Sequence, residues 1–221
     1  MTHYKIAIEL LSDTTFGRGD GVAGLIDQEV EHDASGLPYL RGRALKGLLA
    51  EECENLIAQF PAEQKAHWQG VADQLFGTLG STLETIAVAH FGDACLPTEL
   101  REIITYQIKQ ETITAPEVLN SLTTIRRQTA IDAITGAPDK GSLRSARVVV
   151  RQQTFIADIQ FESAPTDEMR SLLALGIVAL RRLGSCRNRG RGHVKCRLQN
   201  NSGKDITDKY LNAFQPQEVS A

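Results

Sequence analysis

Apolar and polar residues alternate near the start of the chain, where Tyr4, Ile6, Ile8 and Leu10 are interleaved with His3, Lys5, Ala7 and Glu9. A period of two places each set on one face and predicts a half-buried strand. The period then lengthens. Leu45, Leu48, Leu49, Cys53, Leu56, Ile57 and Phe60 recur at spacings of three and four, which predicts a helix over 43–60 stopped by Pro61. Residues 86–91 read as a second strand before the turn Gly92-Asp93, and 97–122 as helical with Thr98 as N-cap. Phe155, Ala157, Ile159 and Phe161 alternate as a strand. Pro165 and Thr166 introduce a helix carrying Met169, Leu172, Leu173, Ile177, Leu180 and Leu183, with Gly184 at its C′ position. Val194, Cys196 and Leu198 give a last strand.

The order β-α-β-β-α-β predicts an α+β fold, a ferredoxin-like core of the kind shared by RNA-recognition domains. Insertions fall at 12–42 and 97–151 of a single domain over 1–200, followed by a mobile polar tail over 201–221. Within the second insertion, 124–151 mixes β-formers, turn residues and basic side chains, and reads as an exposed hairpin. The central strands lack the aromatic pair on which RNA-recognition domains stack bases.

Composition changes this picture in one respect. An aromatic content of 5% argues against recognition by base stacking, so contacts to a backbone should dominate. The net charge of −3 is unusual for a nucleic-acid binder, but its distribution is uneven. Arg181, Arg182, Arg187, Arg189, Arg191, Lys195 and Arg197 follow one another without an acid, while Glu51, Glu52, Glu54 and Glu63 crowd elsewhere. An electropositive face on an acidic body is expected. Cys53, Cys95, Cys186 and Cys196 form no C-x-x-C pair and no secretory signal is read before them, which predicts reduced thiols in a cytoplasmic protein. Cys186, His193 and Cys196 lack the spacing and the fourth ligand of a zinc site. No apolar run reaches membrane-spanning length.

Two segments combine glycine with cations. Gly36-Leu37-Pro38-Tyr39-Leu40-Arg41-Gly42-Arg43-Ala44-Leu45-Lys46-Gly47 opens a helix, whose N-terminus attracts anions through unpaired N–H groups and its dipole. Gly184-Ser185-Cys186-Arg187-Asn188-Arg189-Gly190-Arg191-Gly192 lies near the far end, its glycines letting backbone N–H groups approach a phosphate.

These two segments, with Leu75-Phe76-Gly77 before the strand ending Gly92-Asp93 and the Gly141-Ser142-Leu143-Arg144 region, resemble in order the RAMP superfamily of CRISPR-associated proteins. The resemblance is to the repeated backbone subunit, of Csm or Cmr type, of type III effector complexes. Where many relatives have Pro-Gly-Ser-Ser, this chain has Arg41-Gly42-Arg43-Ala44, a pattern similar to the type III-D lineage. The resemblance implies guide RNA (crRNA), target RNA and neighbouring effector subunits as partners, and no membrane. It implies RNA contacts by Arg18, Arg41, Arg43, Lys46, Arg126, Arg127, Arg144, Arg147, Arg187, Arg189 and Arg191, and makes 124–151 the thumb that wedges between guide and target bases.

Gly24-Leu25-Ile26-Asp27 stands where target-cleaving subunits carry their catalytic aspartate, which makes Asp27 the implied catalytic residue and ligand of Mg2+ or another divalent cation. An unperturbed aspartate is a weak general base at neutral pH, so positioning a hydrated cation suits it better. The plain alternative is that Asp27 orders a glycine-rich loop. Asp20, Glu29, Glu31 and Asp33 are local competitors, Asp33 reading as a turn residue. Three functions remain open: a metal-dependent nuclease subunit acting on target RNA, a guide-RNA-binding scaffold with an inert Asp27, and a guide-processing endoribonuclease centred on His32 or His3.

Overall fold

The computed structural model describes residues 2–22, 24–78 and 87–214. The alternation at the start becomes β1 (Thr2–Leu10), with Tyr4, Ile6, Ile8 and Leu10 all buried. It lies between β5 (Thr154–Phe161) and β6 (Val194–Asn200), and β2 (Ala89–Phe91) pairs with the far edge of β5. Every neighbour in the order β2-β5-β1-β6 is antiparallel. This is the ferredoxin-like arrangement expected from the element order.

One face of the sheet is covered by α1 (Gly42–Ile57) and α5 (Asp167–Ala179). Leu45, Leu49, Cys53 and Ile57 recur every fourth residue and bury one stripe of α1. Burial of each such leucine contributes about 1.5–3 kcal/mol. The helices approach so closely that a Cβ on Gly176 would meet Cys53 Sγ at 2.5 Å. Burial pushes the Cys53 and Cys196 thiols up to about 12, so both remain protonated at neutral pH.

The other sheet face carries Lys5, Glu9, Asp158, Gln160, Lys195 and Arg197. Lys5 stands opposite Asp158, and Glu9 opposite Lys195. Cross-strand charge pairs stand there, and among the described residues these strands place no Phe, Tyr or Trp on that face to form the stacking platform of RNA-recognition domains.

The second insertion contains a separate two-stranded sheet, β3 (Thr123–Gln128) and β4 (Arg144–Val149), forming the expected exposed hairpin. Before it come α3 (Thr98–Lys109) and α4 (Ala115–Leu122) in place of one helical stretch over 97–122. Thr98 lies inside α3 rather than capping it, and the cap signal belongs to Thr114, whose N–H and hydroxyl donate to Glu117 Oε2.

Other boundaries also move. A further helix, α2 (Ala62–Phe76), follows Pro61, and residues 58–60 form a turn rather than the end of α1. Ile86 of the expected strand 86–91 lies outside the described residues, and the strand begins at Ala89. The helix expected to run through Leu183 stops at Ala179. Leu180 and Leu183 are buried from extended backbone, and Gly184 is therefore not a helix cap. Residues 201–214, expected within a mobile tail, include α6 (Thr207–Leu211), which packs Tyr210 against α5 and the sheet.

Candidate nucleic-acid interface

The loop after β1 runs back on itself and lays 26–31 beside the hairpin. Asp27 N–H and Gln28 N–H donate to Ser145 O, and Arg147 N–H donates to Gln28 O, a parallel alignment with Gln28 facing Ala146. On the other side Gly17 pairs with Val30, and Glu31 N–H donates to Phe16 O at 2.6 Å. The segment thus behaves as a short added strand whose register is fixed from both flanks.

That register matches side chains two by two. Asp27 meets Ser145: the Ser145 N–H donates to Oδ2 at 2.6 Å and its hydroxyl lies 3.1 Å from the same oxygen. Two residues on, Glu29 meets Arg147, whose Nε lies 2.8 Å from Oε1, within ion-pair distance but off the line of a hydrogen bond. Their side chains are 5% and 14% exposed, so this pair is effectively buried. Next, Glu31 receives Arg41 at 2.8 Å and the Tyr39 hydroxyl at 3.0 Å. Glu29 and Glu31 are consumed in structure, Asp20 is held by Arg18, and Asp33 accepts the N–H groups of Ser35 and Leu37 in the expected turn.

Asp27 differs from these competitors. It is exposed, and among the described residues its Oδ1 accepts no hydrogen bond from another residue. The Ser145 N–H, then its hydroxyl, with the nearby Arg144 guanidinium, hold its carboxyl below the ordinary value. The carboxylate is therefore ionised throughout the neutral range.

Asp27 lines a cleft of about 350 Å³ between the hairpin and the glycine loop, together with Arg126, Gln128, Arg144, Arg189 and Arg191. Adjoining hollows continue it, one along Ser142, Arg144 and Arg189, another along Asp13, Arg126 and Arg191. A hollow beside β6 also gathers cations, but Arg197 there is tied to Asp205. The track beside Asp27 has the sign and breadth to take a polyanion.

The glycine loop is held in place by backbone. Gly192 N–H donates to Asp13 O, Leu183 N–H to Gly192 O, and Ser185 N–H to Thr15 O. Gly192 has φ +73°, and a Cβ there would run into Leu183 O. Gly192→Ala is expected to cost about 1–3 kcal/mol from backbone strain before counting that collision. Thermal unfolding measures it, and a wild-type melting temperature would contradict this packing. Asp13 closes the same corner by accepting Arg126 at 2.6 Å and Arg151 N–H at 3.1 Å.

Of the basic residues singled out in the sequence, Arg126, Arg144, Arg189 and Arg191 line the same cleft as Asp27, Arg126 while paired with Asp13. Arg127 is exposed across the hairpin from Ser145 but does not line the cleft. Arg147 is turned inward to Glu29 and also donates to Asn120 Oδ1 and Thr123 Oγ1. Arg187 binds Glu51 of α1, and Arg18 binds Asp20. Arg41 is bound to Glu31, Arg43 is exposed on α1, and Lys46 is half-buried. The start of α1 differs from the expected anion seat, because Asp93 Oδ1 already accepts Gly42 N–H at 2.7 Å. Any phosphate near α1 would meet the basic side chains, not the leading N–H group.

His3 and His32 do not line the cleft. Among the described residues no three His, Cys, Asp or Glu side chains are placed to hold a metal ion, and Asp27 is the one carboxylate lining this cleft. Sequence reasoning missed Ser145 and Asp13, whose roles come from contacts far along the chain.

The same architecture occurs in known proteins. A chain of the type III-B Cmr-beta bound to cognate target RNA matches with a TM-score of 0.64 at 15% identity, covering 96% of this chain and 99% of that one. A chain of the type III-B Cmr-beta in its apo state matches with a TM-score of 0.62 at 17% identity, covering 89% of this chain and 97% of that one. Both are of type III-B, so the likeness to type III-D rests on Arg41-Gly42-Arg43-Ala44 only. No curated protein matches in sequence. The RAMP superfamily model matches residues 7–195, from β1 through the glycine loop into β6, and the chain belongs to the RAMP superfamily.

Proposed function

We propose that this chain is a backbone subunit of a type III CRISPR effector, working in the cytoplasm, that holds guide RNA and cuts complementary target RNA at Asp27. The observation that carries this reading is one cleft lined by an ionised carboxylate with a free oxygen and by Arg126, Arg144, Arg189 and Arg191. Likeness to Cmr-beta bound to target RNA, with nearly complete mutual coverage, supports guide RNA, target RNA and other effector subunits as partners. Sequence choice would then rest on base pairing rather than on protein side chains.

RNA supplies its own nucleophile, the 2′-hydroxyl. The protein must hold the backbone in line and stabilise the charge that develops on the phosphate. The guanidinium groups suit the second task, being permanently charged and able to grip phosphate in a bidentate way. Asp27, acidified by Ser145, is poorly matched to proton abstraction and well matched to holding positive charge. Asp27 would hold a magnesium ion through one carboxylate, and such an ion would need phosphate oxygens of the RNA and water to complete its shell. When bound, such an ion would supply charge stabilisation at the scissile phosphate.

The binding half is tested with the assembled complex and single-stranded RNA. Arg189→Ala with Arg191→Ala should weaken binding for all sequences and flatten the salt dependence by about 0.7 logarithmic units per lost phosphate contact. Arg187→Ala, which removes a group held by Glu51, should change binding less. An unchanged salt slope in the double variant would remove the glycine loop from the RNA path.

A further inference from the structure

We infer that Ser145 is the positioning residue of the Asp27 carboxylate, so that strand β4 of the hairpin decides which oxygen the cleft receives. This rests on reading Asp27 as the nuclease carboxylate. An aspartate in an exposed loop turns freely about its last torsion, which has broad, nearly equivalent wells. Asp27 cannot, because Ser145 engages it from several directions.

The Ser145 N–H donates to Oδ2 at 2.6 Å, and Asp27 N–H donates back to Ser145 Oγ at 3.3 Å and to Ser145 O at 3.0 Å. The Ser145 hydroxyl lies 3.1 Å from Oδ2 and 3.1 Å from Leu25 O. A hydroxyl carries one proton and satisfies one of these acceptors at a time. It therefore divides its donation between the carboxylate and the carbonyl of the turn that presents it. That turn is small, closed by Val22 N–H to Ile26 O and Leu25 N–H to Val22 O, and is open to solvent at Leu25. With Oδ2 pinned, Oδ1 is the oxygen left to meet an ion or phosphate.

The charged groups sharing the cleft with Asp27 are Arg126 from β3, Arg144 from β4, and Arg189 and Arg191 from the glycine loop. They remain in place in a Ser145 variant, which therefore isolates the hydroxyl.

Ser145→Ala and Ser145→Thr are compared with wild type in two readouts. Crystal structures of the full chain show the orientation of the Asp27 carboxylate. The assembled complex gives target affinity and cleavage of guide-complementary RNA under saturating target. In Ser145→Ala the carboxylate should occupy more than one orientation and cleavage fall about tenfold, the scale of one hydrogen bond to a charged group, with target affinity unchanged. Ser145→Thr should restore both. A carboxylate held in Ser145→Ala as in wild type would overturn the assignment, as would a cleavage loss matched by an equal loss of target affinity. Cleavage by an Asp27→Ala complex at the wild-type rate would defeat the nuclease reading, while the carboxylate orientation would still decide the role of Ser145.

Discussion

Replacing Arg147 by alanine should lower stability by about 3 kcal/mol or more, the range found when one member of a buried ion pair is removed. Glu29 would keep its bond from Val30 N–H but lose the guanidinium beside it, at a carboxylate only 5% exposed. Arg147 also ties β4 to Asn120 and Thr123, so the base of the hairpin loosens as well. The consequence reaches Asp27, because Glu29–Arg147 and Asp27–Ser145 are successive pairs in one parallel register. A slip of one residue would turn Asp27 to the opposite side. Denaturant unfolding measures the loss. A double variant, Glu29→Gln with Arg147→Met, should recover part of it by removing both charges, and equal stability of Arg147→Ala and wild type would contradict the pair's role.

Local pattern foretold much of this fold. In β1 each buried residue, Tyr4, Ile6, Ile8 and Leu10, falls on the apolar phase of a period-two alternation, and α1 likewise buries Leu45, Leu49, Cys53 and Ile57 at helical spacing. Helix α2 escaped because its buried residues, Val71, Ala72, Leu75 and Phe76, crowd its C-terminal end and leave no stripe along its length. The end of α5 was overshot for the opposite reason. Leu180 and Leu183 continue a helical spacing but are buried from extended chain.

The site divides in the same way. Arg126, Arg144, Arg189 and Arg191 are legible as basic residues among turn and glycine residues, whereas Asp27 is legible only through the resemblance, by its place in Gly24-Leu25-Ile26-Asp27. Ser145 carries no such mark. Its meaning depends on a pairing with a residue 118 positions away, and only tertiary register creates that. The same holds for Arg147, which looks like an RNA contact in the sequence and is a buried partner of Glu29 in the fold.

Asp27→Ala should reduce target cleavage by at least about a hundredfold, the scale on which one preorganised electrostatic group contributes to a transition state. Target binding should survive, because Arg126, Arg144, Arg189 and Arg191 remain. The Asp27 pKa is depressed, so its negative charge is complete above the ordinary carboxylate value and is lost as pH falls through the lower folded value. Any acid limb of cleavage that reports Asp27 should therefore lie below the range of an unperturbed aspartate. The most direct measurement uses the reconstituted complex with guide RNA and labelled complementary RNA, with magnesium or EDTA, and with wild-type or Asp27→Ala subunit. The account predicts cutting by the wild type in magnesium, and none in EDTA or by the variant, with target RNA still bound. Cutting by the Asp27→Ala complex at the wild-type rate would place the chemistry elsewhere and leave this chain as an RNA-holding scaffold.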